Sequence, residues 1–117
     1  MRQMTFLLPA RQESHLAVQS DGFTAVGEEG KSFVAWHEVE WISAQRLDSP
    51  SRQRIDIFLE TGDDSYIIFG SETEFETFVK AMETNLDVLP GWRSQLMNTE
   101  SASYLVLFTA EPYTQLL

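Results

Sequence analysis

The hydrophobic period changes once along this chain, near residue 70, and that change limits the fold more than any other feature. Between Ser71 and Leu86 the apolar side chains Phe75, Phe78, Val79, Met82 and Leu86 recur at spacings of three and four. These spacings return a side chain to the same face of a helix, so the segment predicts one amphipathic helix over about residues 71–86. Ser71 with Glu74 predicts a capping box, and Glu72, Glu74 and Glu76 lie where the helix dipole is positive. Asp87–Gly91 ends the helix, with Pro90-Gly91 as the breaker. A helix with one apolar stripe must bury it against another layer.

Upstream, that layer reads as short strands. Residues 1–13 are a strand (Met4–Leu8) or an extension. His15–Gln19 and Phe23–Val26 flank Ser20-Asp21-Gly22, where Asp-Gly predicts a hairpin turn with positive φ. Gly27–Gly30, carrying Glu28 and Glu29, is the next turn, and Lys31–Ala35 returns. Trp41–Leu47 is a strand, and Asp48–Ser51 a loop. In Arg54–Glu60, Ile55, Ile57 and Leu59 face one way, and Arg54, Asp56 and Glu60 the other. Phe58 interrupts that polar side. Thr61–Asp64 is a turn, and Ser65–Phe69 and Tyr104–Thr109 are strands. The whole predicts a single α+β domain over 1–117. A strongly bent antiparallel sheet or open barrel carries one helix, and a final strand follows it. Phe6, Phe23, Phe33, Phe58, Phe69, Phe75, Phe78 and Trp36 are expected to fill its core.

Composition narrows the function classes. The net charge is −10, from 18 acidic and 8 basic residues. Such a field repels phosphate backbones and anionic headgroups, so neither nucleic acid nor an acidic membrane is an expected partner. A basic protein surface is. With no cysteine, thiol nucleophiles and cysteine-held metals are excluded. No run of about 20 apolar residues is present, and Phe6–Leu8, stopped by Pro9, is short for a signal-peptide core. The expected location is cytoplasmic.

Candidate chemistry is sparse. His37, Glu38 and Glu40 crowd into one short stretch, but the second histidine of an H-E-x-x-H zinc motif is missing. As a strand they would split between two faces, so no metal is expected. Asp63-Asp64 and Glu28-Glu29 are paired carboxylates, but both pairs lie in glycine-bearing turns, which are expected to be exposed and solvated, whereas general-acid work needs a buried carboxyl. There is no nucleophile elbow and no glycine-rich phosphate loop. No catalytic residue and no cofactor are expected.

The chain resembles the pleckstrin-homology-like barrels, in particular a group of small bacterial proteins with that fold. Asp21-Gly22, Trp36-x-x-Val39-x-x-Ile42-x-Ala44, Asp56-x-Phe58, Phe75 with Phe78, and Leu89-Pro90-Gly91-Trp92 carry the resemblance over residues 14–109. Here the final strand follows the helix, whereas a typical pleckstrin-homology domain ends with its helix. Phosphoinositide-binding members carry basic clusters at the first hairpin. This chain has Asp21 there and a basic pair, Arg52 and Arg54, elsewhere, so phosphoinositide binding does not transfer. The resemblance implies a non-enzymatic interaction domain, of the kind in which immunity proteins neutralise a basic partner.

Glu28, Glu29, Asp63 and Asp64 are the expected steering charges, and Trp92 and Tyr113 outlying aromatic anchors. Two alternatives stand. One is an acidic dimer of the secretion-chaperone kind. The other is a ligand-binding or catalytic roll, which a pocket lined by Arg54, Asp56 and His15 would favour. An exposed edge strand is the expected route to a homodimer.

Overall fold

The computed structural model describes residues 16–27, 30–48, 53–98 and 103–110. They form an α+β fold in which two helices accompany a bent, open antiparallel sheet of seven strands. The sheet opens with β1 (Ala17–Gln19), β2 (Gly22–Gly27) and β3 (Gly30–Ala35). A 3₁₀ turn, Trp36–Glu38, leads into β4 (Val39–Asp48), β5 (Gln53–Thr61) and β6 (Ser65–Ile68). Then come α1 (Phe75–Asn85), α2 (Trp92–Asn98) and β7 (Tyr104–Thr109). Met4–Leu8, His15, Glu28, Glu29, Arg52 and Tyr113 lie outside the described residues.

Short connections make two antiparallel meanders, β1-β2-β3 and β4-β5-β6. They join at a single pair, Gly27 opposite Tyr66. The final strand β7 closes onto the free side of β4.

The stretch Trp36–Ala44 shows why its apolar residues sit three apart before they alternate. A 3₁₀ turn repeats every three residues, which sets buried Trp36 and Val39 on the same side. A β-bulge between Val39 and Trp41 then adds Glu40 as an extra residue and brings Ile42 inward as well. From Ile42 the period is two, and Ala44 and Arg46 follow it into the interior.

Gly22 has a different role from the expected one. It lies inside β2 rather than in a positive-φ turn. A Cβ at this position would run into the Val34 carbonyl oxygen and the Phe33 ring, so glycine is required by close strand approach.

Helix α1 lays Phe75, Phe78, Val79 and Met82 on the sheet, as its period predicts. It starts later than expected: Glu74 is the N-cap, with no side-chain cap bond, and the Ser71–Glu74 capping box is not formed. Residues before it instead turn through Glu72 N–H to Phe69 O (3.0 Å) and Phe75 N–H to Glu72 O (3.1 Å).

Phe78 meets Phe23 edge-on at 5.1 Å between centroids, and Trp36 lies 5.1 Å from Phe23 and 5.7 Å from Phe78. Edge-to-face aromatic pairs add about 0.5–1.5 kcal/mol each beyond their buried area, so this cluster fixes where the helix sits. Phe33 and Phe69 are not in the core; they are 45% and 43% exposed. Phe58 is half-buried.

Helix α2 was not expected. Gly91 adopts φ 70°, which turns the chain sharply, and Trp92 and Leu96 then bury on one face. Trp92 is therefore a core residue rather than a surface anchor: it is 1% exposed, and its indole N–H donates to Glu83 Oε2 at 2.8 Å. On β4 the buried Arg46 Nη1 donates to the Leu96 carbonyl (2.6 Å), capping the end of α2 from the sheet.

Among the described residues, no helix is long and apolar enough to cross a membrane.

Candidate functional site

The most highly charged concavity lies where the 3₁₀ turn, the start of β4 and the β5–β6 turn come together. It is a cleft of about 510 Å³. Glu38, Glu40, Asp63 and Asp64 line it together with His37, and neither lysine nor arginine does. Four carboxylates in one concavity reinforce one another's potential, because low-dielectric walls concentrate the field.

Local backbone chemistry holds the acidic turn in shape. Thr61 Oγ1 accepts the N–H groups of Asp63 (3.2 Å) and Asp64 (3.0 Å), and Thr61 N–H donates to Asp64 O at 2.9 Å. Asp64 Oδ1 accepts the Ser65 N–H at 2.7 Å. Asp63 is left pointing to solvent. Across the cleft, Glu38 Oε1 accepts the Ala35 N–H at 2.9 Å, which ties the carboxylate to its own turn. Glu40 is the bulged residue, and the bulge turns it out of the core while its neighbours Val39 and Ile42 face in. At the floor the hydroxyls of Ser32 and Tyr66 share a hydrogen bond of 3.0 Å. The exposed ring of Phe33 stands on the wall.

Such a site offers acceptor oxygens and one apolar contact. It suits ammonium or guanidinium groups, whose bonds to carboxylates are charge-assisted.

Of the expected steering residues, Asp63 and Asp64 are here, Glu28 and Glu29 lie outside the described residues, and Trp92 is elsewhere, in the core. His37, Glu38 and Glu40, for which the sequence suggests no site, also line the cleft. Among the described residues, no three His, Asp or Glu side chains are grouped to hold a metal ion. The sequence holds no local signal that joins His37–Glu40 to Asp63 and Asp64. The β4–β5 pairing does that, by setting Val39 opposite Thr61.

The polar side expected for β5 is also different. Asp56 is 3% exposed, accepts the Gly70 N–H at 2.9 Å, and pairs with Arg54 at 3.0 Å. It pins the end of β6 to β5.

No family model matches this chain, and neither a curated protein nor a solved structure shows significant similarity to it.

Proposed function

We propose that this protein is an interaction domain whose acid-rimmed cleft receives lysine or arginine side chains of a basic protein partner. The observation that carries the reading is the gathering of Glu38, Glu40, Asp63 and Asp64, without lysine or arginine, beside exposed Phe33. The acidic net charge steers such a partner over long range, and the cleft and Phe33 supply short-range fit. Glu28 and Glu29 belong to the same steering field by charge. We further read the fold as a pleckstrin-homology-like open barrel. Two three-stranded meanders with one amphipathic helix over the core support that assignment. The immunity-type role, neutralising a basic toxin, is the version of this reading in which the partner is single and tightly bound. Self-association through the outer edge of β3, which has no strand partner among the described residues, is compatible with it.

The test uses the full chain as bait in affinity capture, beside a variant with Glu38 and Glu40 changed to Gln and Asp63 and Asp64 to Asn. A basic partner recovered by the parent chain and lost by the variant is expected. Its association rate should fall in the variant and lose much of its salt dependence. Equal recovery by both baits, or an unchanged association rate at low salt, would overturn the reading.

A further inference from the structure

Strand β5 runs from the acidic cleft at Thr61 to a second cleft of opposite character at Gln53. Its nine residues span about 26 Å, at roughly 3.3 Å per residue. The second cleft, about 340 Å³, is walled by Ile55, Phe75 and Met97 and carries both Arg54 and Arg93. In a chain of net charge −10, these are two of the five lysine and arginine residues described, the others being Lys31, Arg46 and Lys80. Two arginines flanking an apolar wall are not explained by a need for solubility.

We infer that this cleft is a binding site for an amphipathic organic anion, a carboxylate bearing a short apolar body. Both guanidinium groups are held in place by aromatic rings. Arg54 lies 5.8 Å over Phe69, and Arg93 lies 5.8 Å over Phe75 and 5.5 Å over Trp92. Stacking of this kind reduces the entropy lost when a guanidinium grips a carboxylate.

The two arginines differ in what they already hold. Arg54 pairs through Nε (3.0 Å) and Nη2 (3.1 Å) with Asp56, whose side chain is only 4% exposed. The Asp56 carboxylate is itself held by the Gly70 N–H at 2.9 Å and cannot swing away, and Arg54 Nη1 has no partner among the described residues. Arg93 makes a bidentate pair with Glu76, through Nη1 at 3.1 Å and Nη2 at 3.2 Å. The Glu76 side chain is 74% exposed, so this pair is worth little and is easily exchanged. Arg93 Nε–H is shut from solvent and lacks an acceptor among the described residues. Glu76 thus occupies the seat that an incoming carboxylate would take. The apolar body of the ligand would lie along Ile55, Phe75 and Met97, and Gln53 at the rim offers a further donor.

The experiment is an amide-resolved NMR titration of the full chain with octanoate, with inorganic phosphate and octanol as separate arms. Octanoate should shift residues 53–55, 70–76 and 93–97, with a dissociation constant on the order of 1 mM for a ligand of about ten heavy atoms. Arg93→Gln should abolish these shifts. Glu76→Gln removes the internal competitor and should tighten binding about two- to fivefold, which a merely structural Arg93–Glu76 pair would not produce. Phosphate binding as well as octanoate would overturn the apolar half of the proposal, and octanol binding as well would overturn the anionic half. Shifts confined to other residues, or no tightening in a folded Glu76→Gln protein, would overturn the site itself.

Discussion

Asp56 is the residue whose replacement most directly tests the reasoning about buried polar groups in this fold. Its carboxylate, 3% exposed by residue, ties β6 to β5 through the Gly70 N–H at 2.9 Å and holds Arg54 at 3.0 Å. In Asp56→Ala the Gly70 N–H loses a charged acceptor, worth about 1.5–3 kcal/mol. The Arg54 side chain is 45% exposed, so solvent screening reduces its pair to about 0.5 kcal/mol. Desolvation of the carboxylate is relieved in the variant and offsets part of both. The expected net loss is about 2 kcal/mol, or a fall in melting temperature of about 6–10 °C for a domain of this size. Asp56→Asn keeps an oxygen for Gly70 and gives up the charge, so it should lose about half as much. Urea unfolding followed by tryptophan fluorescence measures both variants. A loss below about 0.5 kcal/mol in Asp56→Ala would refute the claim that this carboxylate pins the strand. Equal losses in Ala and Asn would refute the split between hydrogen bond and charge. A double-mutant cycle with Arg54→Gln should return a coupling of about 0.5 kcal/mol.

Other substitutions separate core from surface. Trp92→Ala should cost about 3–5 kcal/mol in the same unfolding assay, since the ring is 1% exposed and its N–H is bonded to Glu83; a near-neutral change would return Trp92 to the surface. Gly22→Ala should destabilise by at least about 2 kcal/mol, because its Cβ meets the Val34 backbone, and a wild-type melting temperature would show that β3 can move aside. Phe33→Ala, at a ring 45% exposed, should leave stability within about 0.5 kcal/mol while speeding dissociation of a captured basic partner; a large stability loss would place the ring in the core after all.

How much the chain discloses depends on the range over which each feature is fixed. The helix stripe Phe75, Phe78, Val79 and Met82 was readable because its period is local, and β7 because its apolar run of five residues, Tyr104 to Phe108, needs no partner to be recognised. The late start of α1 was not readable: Ser71 and Glu74 spell a capping box, yet the chain spends those residues on turns back to Phe69 and Glu72. Helix α2 escaped because seven residues with two buried contacts, Trp92 and Leu96, give no sustained period. Phe33 and Phe69 read as core residues from their hydrophobicity alone, but Phe33, within β3, and Phe69, just beyond the end of β6, are both exposed.

The acidic turns, the absence of cysteine and the net charge are properties of the sequence itself. What only the tertiary structure decided is which charges meet. Pairing of β4 with β5 brings His37, Glu38 and Glu40 to Asp63 and Asp64 from more than 20 positions away. The two helices bring Arg93 to the cleft of Arg54 from 39 positions away. Contacts of that separation are written in strand register and helix packing, which depend on the whole core at once, and no local stretch of the chain encodes them.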